Sequence, residues 1–220
     1  MTPEASAIDL RAVRQYGRRM DSGHPWLAKT LDWVMRPMYP ARRDVVPHAT
    51  GRVLEVGVGT GLNFGLYTDA VTELVGVDPD PFMLERARPR AAALPFKATL
   101  HQAGAEKMPV DANSIDTAVI TFTLCTIPDP AAALTEVRRV LKPAGRLLFV
   151  EHTQSHQGLM ATVQNVLTPL WKQLAGGCHL NRPAADLIRN AGFEVSESIP
   201  VWGERWTLLP VYRGTARKLT

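Results

Sequence analysis

Two cysteines in 220 residues are too few for a disulfide scaffold. Cys125 and Cys178 fall into no metal-ligand spacing, no metal is expected, and both read as small buried hydrophobes. No apolar run approaches the roughly 18 residues that cross a bilayer. The opening "MTPEASAIDLRAVRQYGRRM" lacks the apolar core of a signal peptide, so a cytoplasmic location is the expectation. Repeats, low-complexity linkers, zinc-finger spacing and RNA-binding signatures are also missing, and no nucleic-acid partner is expected.

What is present is an ordinary globular composition, 45% apolar and 21% charged, enough for one sizeable core. The net charge of +4 is uneven: residues 1–50 hold eight Lys/Arg against five Asp/Glu. So small an excess fits a solvated helix face, and it also allows peripheral contact between the N-terminal helices and an anionic membrane.

The first fifty residues read as a helical cap in two pieces, near 8–19 and 24–46, with Pro37 and Pro40 breaking or kinking the second. From residue 51 the rhythm becomes strand, helix, strand. "RVLEVG", "ELVGVD", "KATLHQAG", "SIDTAVITFT" and "GRLLFVEH" are short apolar strands. Helices are expected at 61–70, in "PDPFMLERARPRA" and in "DPAAALTEVRRVLK". This is the pattern of a parallel α/β sheet covered on both faces. The tail pairs "FEVSESIP" with "RWTLLPVYRGTAR" as an antiparallel ribbon. Before it, Leu159, Met160, Val163, Val166, Leu167, Leu170, Trp171 and Leu174 recur at helical spacing, with Pro169 placed to bend or split the helix. This segment, about 155–180, reads as a lid whose apolar residues line an acceptor pocket. Asn181 is the expected cap of the next helix and Gly192 its stop.

"VLEVGVGTG" carries the chemistry. A buried strand runs into alternating glycines, Gly57, Gly59 and Gly61. Glycine turns sharply and lets a ligand approach the backbone. In open parallel sheets ligands bind beyond the carboxyl ends of the strands. Asp78, ending the next strand, is spaced to hold ribose hydroxyls. Two details separate NAD from S-adenosylmethionine. The dinucleotide fingerprint needs Gly or Ala where this chain has Leu62. Glu55, on the strand before the turn, would repel a pyrophosphate, whereas a sulfonium and an ammonium suit it. A carboxylate there must either accept from the ligand's amino group or order the loop.

Together with Asp78, "AGAEKMP", "SIDTAVITFTLCTIPD" and "EVRRVLKPAGRLLFVEH", the loop resembles the class I S-adenosylmethionine-dependent methyltransferases, from about residue 50 onward. The resemblance implies a Rossmann-like seven-stranded, mostly parallel sheet of order 3-2-1-4-5-7-6 with the last strand antiparallel, so that residues 51–220 form the methyltransferase domain. It places Gly57, Gly59 and Gly61 at the methionine portion of the donor with Glu55 behind them. It places Asp78 at the ribose, Pro79 and Met83 beside the adenine, Ala105 and Glu106 at the adenine amino group, and Thr121 near the methyl group.

Methyl transfer needs alignment, exclusion of water and, for some acceptors, removal of a proton. His152, ending "LLFVEH", is the candidate base. "EHT", "VLTPLWKQLAGGCHLNR" and "IRNAGFEV" are similar to the thiol methyltransferase-like proteins, whose N-terminal membrane anchor this chain does not match. That makes a small apolar thiol the leading acceptor, with Cys125, Trp171, Cys178 and His179 as acceptor-binding candidates. A phospholipid or quinone methyltransferase and a non-catalytic cofactor-binding module are the alternatives.

Overall fold

The computed structural model describes residues 23–202 and 207–219. The helix expected near 8–19 lies outside the described residues. Seven strands form one sheet: β1 (Gly51–Val56), β2 (Val71–Asp78), β3 (Lys97–Gln102), β4 (Ile115–Thr121), β5 (Leu141–His152), β6 (Phe193–Trp202) and β7 (Val211–Lys218). Their order is β3-β2-β1-β4-β5-β7-β6. β1 to β5 run parallel, and β7 pairs antiparallel with both β5 and β6. The expected sheet is therefore the observed one.

Alternation along the central strands builds two cores. Leu54, Val56, Ile120 and Phe149 face one side, where Ala133, Leu134 and Val137 of α4 (Pro130–Val140) cover them. Val53, Val119, Leu148 and Val150 face the other with Phe64. Each large buried side chain contributes about 1.5–3 kcal/mol relative to exposure. Both sheet faces are apolar because both are covered, which is why the strands read as continuous apolar runs rather than alternating ones.

The N-terminal helix breaks where its prolines require. α1 (Pro25–Val34) gives way to a 3-10 turn at Arg36–Met38, and α2 (Tyr39–Arg43) restarts with Pro40 in its first turn. α3 (Pro81–Ala92) is capped by Asp80, whose carboxylate accepts from the Phe82 and Met83 N–H groups.

Four local expectations need correction. Residues 61–70 form no α-helix but one 3-10 turn, Phe64–Leu66. The segment has Gly61 in a left-handed conformation, Gly65, and the poor helix formers Asn63, Thr68 and Asp69. α5 (Gly158–Leu174) is continuous through Pro169, not split. Asn181 does not cap α6 (Ala184–Asn190); the first N–H of that helix is donated to Thr153 Oγ1, and Asn181 donates instead to the Asn165 side chain. The second tail strand begins at Val211, after Pro210, and the expected strand residues 207–210 are not part of it, while Arg205 and Trp206 lie outside the described residues. The stop at Gly192 is as expected, with φ +84°. Among the described residues no helix is long and apolar enough to cross a membrane.

Candidate active site

The strand ends of β1, β2 and β4 open into a cavity of about 550 Å³. Its wall includes Gly57, Gly59, Asp78, Pro79, Met83, Ala105, Glu106 and Thr121. The expected donor-site residues thus converge on one space, apart from Gly61 and Glu55. Gly57, Gly59 and Gly61 all have positive φ, at +72°, +54° and +82°. A Cβ on Gly57 would come within 2.3 Å of the Thr123 side chain, so nothing larger fits. A Cβ on Gly59 would meet only Leu31, at 3.4 Å.

Asp78 closes the loop onto itself. One of its oxygens accepts from Gly59 N–H at 2.8 Å and the other from Asp80 N–H at 2.9 Å. Each oxygen keeps a lone pair for a ligand hydroxyl. Burial pushes the Asp78 carboxyl up to about 6, against the pull of these two N–H groups.

Glu55 sits behind the wall, 1% exposed. It is held by Asn63 Nδ2 at 2.9 Å and the Tyr67 hydroxyl at 2.7 Å. Burial raises it to about 7, with Tyr67, Arg42 and Asn63 holding it down. Of the two uses open to it, Glu55 is arranged to order the loop. Asn63 also donates to Thr121 Oγ1 at 3.0 Å, which ties β1, the loop and β4 together.

Arg42 gave no sequence signal, yet it is the guanidinium on the cavity wall. It is buried, donates to Asn63 Oδ1 at 2.8 Å and Thr121 Oγ1 at 2.6 Å, and stacks 5.1 Å over the Phe122 ring. Its Nε is buried with no hydrogen-bond partner. Phe122 itself has φ +55°, a left-handed conformation that costs a non-glycine residue about 1–2 kcal/mol. Asn63 and Tyr67 were findable: a buried carboxylate at Glu55 demands donors, and these two follow it within one loop.

α1 closes the cavity. Leu27, Leu31 and Met35 line it. Asp32 accepts from Thr60 Oγ1 in the glycine loop and pairs with Arg90 of α3. His24 N–H is donated to Asp80 at 2.6 Å. By contrast, the lid expected at 155–180 contributes only Gly176 to the wall. The apolar residues of α5, expected to line an acceptor pocket, do not line this donor cavity; Leu159, Val166, Leu170 and Leu174 are each at least 60% exposed.

The acceptor-side candidates form a separate buried cluster. His152 Nε2 lies 3.0 Å from Cys178 Sγ. Cys125 Sγ, 3.4 Å from Thr126 Oγ1, completes the group, and Thr126 is on the cavity wall while Cys125, His152 and Cys178 are not. Contact with Cys178 and the neighbouring imidazole lowers the Cys125 thiol, and its partner Cys178 is raised. Burial would lower His152, but the charge and hydrogen bond of Cys125 together with the Glu151 charge outweigh it, and the imidazole is raised. His179 donates its backbone N–H and Nδ1–H to the Cys125 carbonyl, at 2.8 and 3.0 Å. Burial and the Arg182 and Lys172 charges bring His179 down to about 4, so it is neutral at pH 7. Trp171 is half-buried and does not reach the cavity. Glu151, fully buried, accepts from Thr123 and Leu124 N–H and so shapes the loop after β4.

The wall suits a cationic nucleoside. Asp78, Asp80, Glu106 and Asp129 are its carboxylates and Arg42 its guanidinium. The orphaned Arg42 Nε fits an α-carboxylate, Asp78 fits a diol, and the turned glycines leave room for a chain that passes them.

Comparison with known proteins agrees. The family described as "Methyltransferase domain" matches residues 54–149. The thiol S-methyltransferase TMT1B of Rattus norvegicus is 37% identical over 64% of this chain and 59% of that protein. The chain therefore spans about three fifths of the length of that relative. A phosphatidylethanolamine N-methyltransferase of Cereibacter sphaeroides is 31% identical over 73% of this chain and 80% of that protein. A solved S-adenosylmethionine-dependent methyltransferase of Leishmania major superposes with a TM-score of 0.65 at 17% identity, covering 93% of this chain and 82% of that one. This last likeness shows the fold.

Proposed function

Because the chain belongs to the class I S-adenosylmethionine-dependent methyltransferases, we propose that it transfers a methyl group from that donor to a small apolar thiol. The observation that carries the reading is the convergence of the left-handed Gly57 and Gly59, Asp78 and Arg42 on one cavity with carboxylates on its wall. Bound there, the donor supplies a methyl group already activated on a sulfonium. The chain's own work is positional. Asp78 holds the ribose, Met83 and Pro79 flank the adenine, and Ala105 and Glu106 meet its amino group. Arg42 takes the donor carboxylate through its free Nε, and Glu55, with Asn63 and Tyr67, keeps the loop in shape. Leu27, Leu31 and Met35 exclude water, which makes alignment effective.

The thiol is supported by the similarity to thiol S-methyltransferases and by the paired cysteines and imidazole one residue behind Thr126. Cys125, Cys178, Trp171 and His179 would hold the acceptor, reached past Thr126. His152, at 6% exposure, is assigned to take the thiol proton. His152→Ala is expected to lower kcat with donor affinity intact; unchanged turnover removes it from the reaction.

A lipid acceptor is the second reading, favoured by the exposed apolar face of α5 and the similarity to a phosphatidylethanolamine N-methyltransferase. Salt-sensitive liposome binding, through that face or the basic N-terminal segment, would favour it.

Calorimetric titration with S-adenosylmethionine, S-adenosylhomocysteine and NAD tests the donor. Micromolar binding of the first two alone is expected, and NAD binding instead would overturn the reading. A panel of alkyl thiols and amines with labelled donor then tests the acceptor. Transfer to amines alone would remove the thiol.

A further inference from the structure

The sequence separates Cys125 from Cys178 by more than fifty positions, and its spacing suggested no ligand set. The fold joins them. Cys125 comes from the loop after β4, His152 from the end of β5 and Cys178 from the turn after α5. The two Sγ atoms and an imidazole nitrogen all lie within 4.8 Å of one another. We infer that Cys125, His152 and Cys178 form a binding site for a thiophilic divalent cation of the zinc class.

The donor set comes first. Two thiolates and one imidazole are ligands that zinc takes in tetrahedral sites, with Zn–S near 2.3 Å and Zn–N near 2.0–2.1 Å. Those lengths put neighbouring ligand atoms about 3.4–3.8 Å apart in a tetrahedron. The Nε2–Cys178 Sγ pair, at 3.0 Å, opens slightly around an ion, and since no separation exceeds 4.8 Å the widest closes by about 1 Å at most. Side-chain rotation covers both.

Charge gives the second argument. Cys125 and His152 are at most 6% exposed. Two thiolates buried together without a counter-charge are costly, whereas two thiolates and a divalent cation are neutral as a unit. Binding therefore releases the thiol protons and keeps the site dry at no net charge.

The backbone supplies the third. Cys178 follows Gly176 and Gly177, with φ of +59° and +94°, a pair that only glycine adopts cheaply. This turn aims Cys178 at His152. The Cys125 carbonyl is fixed by two donors from His179, which anchors the other thiol. Cys178 is the more exposed thiol and marks the entry side. Glu151 is not among the converging ligand atoms; its Oε1 accepts from the Thr123 and Leu124 N–H groups.

An ion there would occupy His152 Nε2, on the imidazole assigned above to take the thiol proton. Metal loading and that role exclude each other, and the inference rests on the three donors rather than on the acceptor proposed.

The test is a Co2+ titration of the reduced, metal-free full chain. Expected are red ligand-field bands and thiolate-to-cobalt charge transfer that saturate at a single equivalent and disappear on adding Zn2+. His152→Gln should weaken cobalt binding at least tenfold. Cys125→Ser with Cys178→Ser should abolish the charge-transfer band. No charge transfer in the unmodified chain, or the same band in the double variant, overturns the site. Should the double variant fail to fold, Cys178→Ser alone decides: an unaltered cobalt affinity and spectrum overturn the proposal, and a weakened, blue-shifted one supports it. None of these readouts uses turnover, so failure here leaves the methyltransferase reading standing.

Discussion

Two helices flank the strand ends, and they face opposite ways. α1 turns Leu27 and Leu31, one helical turn apart, onto the cavity. α5 turns Gln164 and Thr168, also one turn apart, into the protein and leaves Val166, Leu170 and Leu174 in solvent. Both have apolar residues at helical spacing. Periodicity reports that a helix has an apolar face; it does not report what that face meets. In α5 the inward face is chosen by hydrogen bonds. Gln164 Oε1 accepts from Ser155 N–H at 2.8 Å, and its Nε2 donates to the Thr153 and Leu208 carbonyls at 3.2 and 3.0 Å. The donor cavity is lined from α1, and from the segment 155–180 by Gly176.

The sharpest break of this contrast is Gln164→Leu. If polar anchoring sets the orientation of α5, the substitution leaves Ser155 N–H and two carbonyls without partners. The expected loss is about 2–3 kcal/mol in denaturant unfolding, since one buried orphan costs about 1–3 kcal/mol and the bonds to Ser155 and Leu208 are only part-buried, where water takes over. A loss below 0.5 kcal/mol, the ordinary range for a surface change, would mean that α5 is held by something else.

Asp78→Ala tests the other side. Donor affinity should fall at least tenfold, about 1.4 kcal/mol, because the diol acceptor and the Gly59 tether go together. Near-normal affinity by calorimetry would remove Asp78 from the ribose. The same group gives a pH signature. Its folded value is raised to about 6 from an ordinary 3.8. The free chain therefore binds more protons than the unfolded chain across that window, and Asp78 costs stability as pH rises through it. Donor binding runs the opposite way, because the carboxylate is the better acceptor. Affinity should drop severalfold from pH 7.5 to 5, and Asp78→Asn should flatten that step.

Much of the sheet and glycine loop was legible because both rest on local rules: short apolar strands separated by helix-length segments, turns that need Gly57 and Gly59, and a carboxylate ending β2. The segment at 61–70 misled because helix-length spacing was read over low propensity. Arg42 was invisible because its partners, Asn63 and Thr121, are assembled only by the sheet. The contact of Cys178 with His152 was hidden for the same reason: no local pattern records that a Gly-Gly turn returns a thiol to the end of β5. The sequence did mark Glu55 as needing partners, and the fold answers with Asn63 and Tyr67.

The smallest expected effect is the most direct on the two helices. Leu27→Ala removes part of the cavity's roof, where Leu27 also meets Gly176 at the end of the α5 segment. Losing about three methyl or methylene groups of half-buried surface should raise the donor Kd severalfold, since each buried methylene carries about 0.8 kcal/mol when fully covered. Leu170→Ser, at a residue 60% exposed on α5, should leave donor affinity unchanged and global stability within about 0.5 kcal/mol. The pair is informative together. Equal donor affinities for both variants would mean that neither helix covers the donor. A donor effect confined to Leu170→Ser would put α5 over the cavity in the bound state and restore it as the lid. The expected result, an effect at Leu27 alone, assigns the donor's cover to α1 and leaves the apolar face of α5 free for an acceptor that arrives from an apolar phase.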